Sequence, residues 1–421
     1  MRVLWLTYIV FPEVNKFIGV NNNSKSGGWL FSSANELSLN KSIELFVASP
    51  SYSVNDLQRF EGERITYYLY PYGKGVDQYN VDYGRYYRQI ISEISPDIVH
   101  IHGFESTIPI SYFNSCGNRN VVVSIQGLVS GITKYYNYGL SAFDIVKSIT
   151  IRDLFRCNTL FHQKKNFSKK AKLEVEAIKR SSHVIGRTNW DKSHILSINP
   201  SVEYHFCNET LRPEFYLSDW KYENCSKHTV FVTQASYPLK GLHILLKAIP
   251  LLLNKYPDIQ IRVAGSNRVM SPSIRDRLRM TGFENYLRKE IKRLHIEHNV
   301  VFLGALDVNE IIQEYLSANV FVCPSSIENS SNSLCEAQVL GVPCIASFVG
   351  GSPDLIKNSE MGYLYRFEEV EMLSYYIDRV FEESPYFNNS TMKSVARARH
   401  SPENNRKATL AIYSKIIMGI R

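Results

Sequence analysis

The sequence has few cysteines, and those that it has are scattered. Its 421 residues include seven cysteines, with no Cys-x-x-Cys pair and no His/Cys cluster at the spacing of a zinc site. This absence argues against structural zinc and against a disulfide framework, and it favours a reduced, cytoplasmic location.

Long apolar runs are also missing. No run approaches the roughly 18 apolar residues that span a bilayer. The apolar start MRVLWLTYIVF has no small-residue cleavage site and ends at Pro12, so it predicts a first strand and not a signal peptide. The net charge of +8 permits an anionic membrane as partner without requiring one, and we predict no nucleic-acid partner.

The loop after the first strand lacks Gly-x-Gly-x-x-Gly, which disfavours a dehydrogenase. What the chain does contain is short apolar runs that alternate with helical patterns. Such runs predict strands covered on both faces, and therefore parallel sheets with helical crossovers. They are RVLWLTYIVF, SIELFVAS, RITYYLYP, DIVHIHG, NVVVSIQG, SHVIGRT, VEYHFCN, HTVFVTQA, DIQIRVAG, NVVFLGA, ANVFVCP and PCIASFV.

The length and the alternation predict two doubly wound, Rossmann-like α/β domains with a ligand in the cleft between them. A polar, weakly periodic stretch at 211–228 marks the seam. We therefore predict an N-terminal domain over 1–216 and a C-terminal domain over 226–400. The tail 402–421 is amphipathic and is expected to complete the first domain.

A serine-rich stretch between a strand and a helix carries two glutamates. In SSIENSSNSLCEA, seven residues separate Glu328 from Glu336, and the helix that follows is predicted to end at Gly341. A helix start presents free N–H groups and a positive dipole end, which bind phosphate. A glutamate one turn into the helix can accept hydrogen bonds from a ribose diol. The pattern predicts a nucleoside diphosphate ligand, with serine caps and two solvated carboxylates as the structural alternative.

Three further loops are predicted at the same sheet edge. TQASYPLKG places Lys240 after the domain's first strand, where a lysine can reach a diphosphate oxygen. VAGSN places Gly265 at the end of the next strand, and FVGGSPDLI places Gly350-Gly351 in another loop of close backbone approach. An exposed lysine and plain turns would explain each of these loops individually.

From these motifs the chain resembles the retaining glycosyltransferases of the GT-B fold, in particular family 4. The resemblance is strongest in the Glu-x7-Glu region from VFLGAL to SFVGG. It implies that Glu328 contacts the donor sugar, that Glu336 binds the ribose and that Lys240 stabilises the leaving nucleotide. The amides between the glutamates would hold the diphosphate, among them those of Ser331, Asn332, Ser333 and Leu334. A nucleotide-sugar is thus expected as co-substrate, with no cofactor and no metal.

Two positions depart from the family pattern. Ala235 stands where the family usually has an arginine that partners the lysine, so Arg187 or Arg268 would have to supply a second cation. Gln126 stands where the family often has a histidine beside the transferred sugar. Glutamine exchanges hydrogen bonds but carries no proton at neutral pH, so we assign no general base there.

The first half carries the candidates for the acceptor side. SKSGGWLF places Gly27-Gly28 at the opening of a helix, and the resemblance brings Gly28 near the donor diphosphate. HIHG places His102 at a strand end, with His100 on the same strand face as a core residue. Arg187 is a candidate anion contact, although a salt bridge to Asp191 or Glu209 would explain it too. The combination resembles bacterial members that act in surface-polysaccharide synthesis.

A basic helical pattern carries Lys165, Lys169 and Lys172 at helical spacing. It suits docking on an anionic membrane that presents a lipid-linked sugar, or else it is an ordinary solvated helix face. The function predicted is glycosyl transfer from a nucleotide-sugar to a saccharide or lipid-linked saccharide, in the cytoplasm or on the inner face of the membrane. The alternatives are a sugar-nucleotide epimerase or hydrolase, and a non-catalytic nucleotide-sugar-binding subunit.

Overall fold

The computed structural model describes residues 1–19, 27–72, 82–233, 236–271 and 273–419. The chain divides into two compact units. The first unit is Met1–Gly131, Phe167–Arg212 and Arg399–Arg421, and the second is Ile132–Asn166 and Pro213–Ala398.

The first unit is built on an eight-stranded sheet with the order β3-β4-β2-β1-β5-β6-β7-β8. All neighbours are parallel except β3, which is antiparallel to β4. The strands are β1 Arg2–Leu6, β2 Glu44–Ser51, β3 Gln58–Glu61, β4 Ile65–Pro71, β5 Ile98–His102, β6 Val121–Ser124, β7 His183–Gly186 and β8 Glu203–Phe206.

The second unit is built on a six-stranded, fully parallel sheet with the order β11-β10-β9-β12-β13-β14. The strands are β9 Thr229–Val232, β10 Gln260–Ala264, β11 Val300–Gly304, β12 Val320–Cys323, β13 Cys344–Ser347 and β14 Tyr363–Tyr365. The prediction of two parallel-sheet α/β units is confirmed. The short strands β3 and β14 were not predicted.

Helices connect the strands of both sheets. Those before β9 are α1 Pro12–Phe17, α2 Gly28–Ser38, α3 Gly84–Ile94, α4 Ile108–Cys116, α5 Val129–Ile132, α6 Ala142–Ser148, α7 Ile151–Phe155, α8 Leu160–Arg180 and α9 Asn189–Ile198. Those after it are α10 Leu242–Ala248, α11 Ile274–Arg279, α12 Gly282–Arg293, α13 Val308–Ser317, α14 Asn332–Leu340, α15 Ser352–Leu355, α16 Val370–Glu383, α17 Ser390–Arg399 and α18 Pro402–Met418.

The core of the first unit lies on both faces of its sheet. Along β1, Leu4 packs on one face and Trp5 on the other, because successive strand side chains point to opposite sides. Tyr413 of α18 is fully buried and accepts a hydrogen bond from Trp5 Nε1 at 2.9 Å. Burial on both faces explains why the strands appear in the sequence as continuous apolar runs.

The predicted domain boundaries differ from the observed division at residues 132–166. These residues were predicted to lie in the first domain, but they group with the second unit. The cause is local packing: α6 contacts α12, and α7 contacts α11. Asn285 Nδ2 donates to Ser148 O at 2.9 Å, and Thr150 Oγ1 donates to Met280 O at 3.1 Å.

Candidate active site

Two loops meet at the carboxyl edge of the sheet in the second unit. Strands β9 and β12 are parallel neighbours, so the loops that follow them leave from the same edge. The first loop carries Lys240 and the second carries Glu328. Ser326 N donates to Leu239 O at 2.8 Å, which ties one loop to the other.

The two residues predicted to be catalytic form an ion pair. Lys240 Nζ lies 2.6 Å from Glu328 Oε1, and Ser325 Oγ donates to the same carboxylate oxygen at 2.7 Å. Both charged side chains are largely buried. Burial alone would lower the pKa of Lys240, but the neighbouring Glu328 and Tyr237 hold that pKa above its ordinary value. Lys240 is therefore a cation throughout the neutral range.

Two glycines allow these loops to pack backbone against backbone. Gly241 has φ 69°, and a Cβ there would lie 1.6 Å from Pro324 O. Gly350 has φ 52°, and a Cβ there would lie 1.8 Å from Glu328 O, while Gly351 N donates to that same oxygen at 3.0 Å. No other residue type fits either place. The close approach predicted for Gly350-Gly351 is thus an approach to the chain's own backbone, and it fixes the position of Glu328.

Helix α14 begins directly beyond the Glu328 loop. Ser331 caps the first turn of α14 by accepting a hydrogen bond from Leu334 N at 3.4 Å. The helix ends at Gly341, whose φ is 86°, as predicted. Ser333 Oγ accepts a hydrogen bond from Thr233 Oγ1 at 2.8 Å. The helix start, with Asn332 as its first residue, is therefore joined to the end of β9 as well as to the Glu328 loop.

Glu336 lies one turn into α14 and is only 8% exposed. Its Oε2 accepts from Tyr315 Oη at 3.4 Å, and the same hydroxyl donates to Ser333 O at 2.9 Å. Tyr315 is fully buried and was not predicted as part of the site. The only signal in the sequence was its place in YLSANVFVCP, where a core aromatic is the simpler interpretation.

The glycine turn after β10 lies within the second unit, and Gly265 N donates to Gly304 O at 2.8 Å. Arg268, one of the two candidates for a second cation, pairs with Glu284 at 3.0 Å. Ser266 Oγ donates to the same carboxylate at 2.5 Å. Ala235, at the position of the expected arginine, lies outside the described residues.

The carboxyl ends of β5 to β8 in the first unit line a cavity of about 60 Å³, in which polar side chains stand among apolar ones. Gln126 and His102 line it, together with Arg187. The guanidinium of Arg187 is ion-paired with Glu209 and donates to Ile125 O, and it is buried. Of the alternatives that the sequence left open, the salt bridge to Glu209 is present.

His102 is the most unusual group in this cavity. His102 is 5% exposed. The centroid of its ring lies 4.3 Å from the ring centroid of Trp5 and 3.9 Å from that of His100. Among the described residues, neither of the ring nitrogens of His102 has a hydrogen-bond partner. Burial, His100 and Arg187 keep the pKa of His102 well below its usual range, so the ring is neutral and offers one donor and one acceptor. Such unsatisfied groups are costly unless a ligand or water completes them.

The Gly27-Gly28 pair opens α2 in the same unit. Gly27 caps the helix with φ 84°. A Cβ on Gly28 would lie 2.5 Å from Cδ of Arg212, so glycine here makes room for that side chain. The residues directly before the pair, 20–26, are outside the described part of the chain.

A buried carboxylate behind the loop that follows Gln126 was not predicted. Glu174 on α8 has no solvent exposure and accepts from the backbone N–H groups of Val129 and Ser130 at 2.7 and 2.8 Å. Burial raises the pKa of Glu174 to about 7, although these hydrogen bonds oppose the change. In the sequence it looks like any polar residue of an amphipathic helix.

Within the described residues, one cluster has metal-ligand spacing: His183, Glu203 and His205. The imidazoles are joined by a 3.2 Å contact between His183 Nδ1 and His205 Nε2. Lys415 Nζ lies 2.5 Å from Glu203 Oε1. An ammonium group thus already neutralises the carboxylate of this cluster.

Most of the second unit resembles known proteins. Residues 221–400 match the family model "Glycosyl transferases group 1". An uncharacterized glycosyltransferase of Methanocaldococcus jannaschii is 30% identical over 195 residues, which cover 46% of this chain and 45% of that protein. The matched stretches span less than half the length of the curated relatives. The resemblance to group 1 glycosyltransferases is confirmed for this part of the chain.

Solved structures extend the likeness to the whole fold. Sucrose-phosphate synthase from Thermosynechococcus elongatus aligns over 99% of both chains with a TM-score of 0.74 at 14% identity. Anabaena HepE in complex with UDP-glucose aligns over 98% of this chain and 100% of that one, with a TM-score of 0.66 at 14% identity. The prediction of a GT-B fold is confirmed.

Proposed function

We propose that the protein is a retaining glycosyltransferase that moves a sugar from a nucleotide-sugar donor to a saccharide or lipid-linked saccharide. The observation that carries this proposal is the Lys240–Glu328 ion pair beside the start of α14. A cation, a carboxylate and a helix start then lie at one sheet edge, which matches the needs of a diphosphate with a sugar attached.

In this proposal the donor binds to the second unit. The diphosphate accepts hydrogen bonds from amides of the segment 331–333, because Leu334 N already donates to Ser331 Oγ. Glu336, held by Tyr315, accepts from the ribose hydroxyls. Glu328 contacts hydroxyls of the sugar. The family match over 221–400 supports these roles, because the segment lies within it.

Lys240 supplies the main electrostatic contribution to catalysis. As the bond between the sugar and the diphosphate breaks, negative charge develops on the leaving oxygen, and a cation held beside it stabilises that charge. One such donor typically contributes about 3–4 kcal/mol to transition-state stabilisation. Because Lys240 and the amides can carry this role, we propose that no metal is required.

The acceptor is proposed to bind to the first unit, in the cavity lined by His102, Gln126 and Arg187. Neutral histidine and glutamine side chains donate and accept hydrogen bonds, as recognition of sugar hydroxyls requires. A family 4 assignment and a role in bacterial surface-polysaccharide synthesis, on the cytoplasmic side, agree with the motifs in the sequence.

The experiment begins with a thermal-shift panel of nucleoside diphosphates and nucleotide-sugars. The donor that stabilises the protein most is then incubated with and without saccharide acceptors, and with and without EDTA. Acceptor-dependent release of the nucleoside diphosphate that EDTA leaves unchanged supports the proposal. Turnover without an acceptor would instead indicate an epimerase or hydrolase, and binding without any turnover a non-catalytic subunit.

A further inference from the structure

The second unit exposes an apolar surface on three neighbouring helices, α6, α7 and α11. Seven large apolar side chains on these helices are more than half exposed: Phe143, Val146, Ile151, Leu154, Phe155, Ile274 and Leu278. Phe155 is 87% exposed. Single exposed apolar residues are normal in soluble proteins, but a group on adjoining helices marks an interaction site. We call this group the α6–α7–α11 surface.

Helices α6 and α7 are anchored by buried inner residues, whereas α11 has no buried residue and is held at its end. Ile145 and Ser148 of α6 are buried against the unit, as is Asp153 of α7. The hydrogen bond from Thr150 to Met280 joins the start of α7 to the end of α11. The outward apolar side chains of α6 and α7 are therefore presented by a fixed framework, and those of α11 belong to a helix that contacts α7.

Basic residues lie among the apolar ones. The segments 141–156 and 273–279 contain six: Lys147, Arg152, Arg156, Arg275, Arg277 and Arg279. They contain three acids, each of them engaged. Asp144 is held in a capping box with Ser141, Asp153 is buried and pairs with Arg152 at 3.4 Å, and Asp276 accepts from Ser271 Oγ at 2.6 Å. Six bases and three acids give the two segments a net charge of +3. The α6–α7–α11 surface is thus apolar and cationic together.

We propose that the α6–α7–α11 surface docks the protein on an anionic lipid bilayer. Aromatic and aliphatic side chains enter the boundary between headgroups and acyl chains, while arginine and lysine contact lipid phosphates. The charge complementarity favours an anionic membrane over a second copy of this chain, whose identical surface would carry the same positive charge. No helix in the described ranges has the length and hydrophobicity to cross a membrane, so attachment would be to the surface.

This surface differs from the one predicted in the sequence. Lys165, Lys169 and Lys172 are exposed on α8, but the apolar residues beside them, such as Phe167 and Val175, are partly buried. On α8 one large apolar side chain, Phe161, is exposed, at 46%, so the lysines of this helix can attract an anionic surface with little to insert. The α6–α7–α11 surface offers seven apolar side chains together with basic ones.

The test measures cosedimentation with vesicles in which about one third of the phosphatidylcholine is replaced by phosphatidylglycerol. The wild-type protein is expected to bind these vesicles, to bind pure phosphatidylcholine weakly and to dissociate as salt rises. Leu154→Ser with Phe155→Ser should lower the partition coefficient at least about ten-fold, since two apolar side chains no longer insert. Arg275→Gln with Arg279→Gln should have an effect of similar size on anionic vesicles alone.

Matched controls come from the same unit. Leu217 and Tyr386 are 83% and 88% exposed outside this surface, so Leu217→Ser with Tyr386→Ser should leave vesicle binding unchanged. A loss only in Lys165→Gln, Lys169→Gln, Lys172→Gln would overturn the proposal in favour of α8. Absence of binding by the wild type, or self-association that the Leu154/Phe155 variant abolishes, would also overturn it. Vesicle binding needs no substrate, so it is judged separately from glycosyl transfer.

Discussion

Both units gather polar side chains at the carboxyl edge of a parallel sheet, but the two units differ in the hydrogen-bond and ion-pair partners that they provide for these side chains. In the second unit the charges are paired, as Lys240 with Glu328, and glycines lock the loops together. In the first unit Arg187 is likewise paired with Glu209, but His102 is buried and both of its ring nitrogens lack a partner within the part of the chain that the structure describes. A closed, preorganised edge suits an invariant charged group such as a diphosphate, whereas an edge with free hydrogen-bonding capacity suits a ligand that completes it.

The largest effect is expected at Lys240. Lys240→Ala should lower kcat about 100- to 1000-fold while changing donor affinity less than about ten-fold, because the cation acts mainly on charge that develops during bond breaking. Steady-state kinetics and calorimetric titration with the donor would separate the two. Lys357→Ala, at an exposed lysine of the same unit, is the control. Equal losses in kcat and affinity would contradict the leaving-group role.

The two glutamates should separate binding from chemistry. Glu336→Gln should weaken nucleoside diphosphate binding about 10- to 100-fold, since it removes a charged acceptor of hydrogen bonds. Glu328→Gln should leave that affinity within about three-fold and abolish transfer. Calorimetry with the nucleoside diphosphate, which carries no sugar, measures the first effect, and product formation measures the second. The reverse pattern would exchange the proposed roles.

A smaller effect is expected in the first unit. His102→Phe keeps an aromatic ring beside Trp5 but removes both nitrogens, so the acceptor KM should rise about five- to ten-fold. Affinity for the nucleoside diphosphate serves as the internal reference and should not change. If the acceptor KM stays constant while donor affinity falls, the cavity does not belong to the acceptor side.

The smallest effect on activity is expected at Glu174, which acts on stability. Its pKa is raised from 4.5 to about 7 in the folded protein, so the folded state holds a proton that the unfolded state releases between these values. The stability of the wild type relative to Glu174→Gln should therefore fall as pH rises from about 4.5 to about 7, and then level off. Melting temperatures of both proteins across this range would show it. If the stability of the wild type relative to Glu174→Gln rose with pH over this range, the assignment would be refuted.

Much of the architecture could be predicted because burial on both faces makes parallel strands into apolar runs, and all twelve predicted strands are present. The end of α14 at Gly341 could be predicted from local chain geometry. The edge strands β3 and β14 were not predicted, because β3 is charged and largely exposed and β14 has only three residues. The placement of 132–166 depends on contacts with α11 and α12, which no local pattern encodes.

The candidate site shows the same limit. Lys240 and Glu328 could be picked out individually from their loops, but their ion pair joins positions 88 residues apart and is a tertiary contact. Tyr315 contacts Glu336 from a core position, and Glu174 holds the loop after Gln126 from a helix face. A tyrosine in a core and a glutamate on a helix are common, so nothing in the sequence singled them out. Positions at helix ends and strand ends could be picked out from the sequence, and the contacts that hold them could not.

The claim on which the account depends is that the start of α14 and the Lys240 loop hold a nucleoside diphosphate. Hydrogen–deuterium exchange of the full chain, with and without the nucleoside diphosphate that gives the largest thermal shift, tests it directly. We predict slower exchange in residues 325–336 and 238–242, with little change in 124–130 of the first unit. Protection elsewhere, with these two segments exchanging as in the free protein, would contradict the claim.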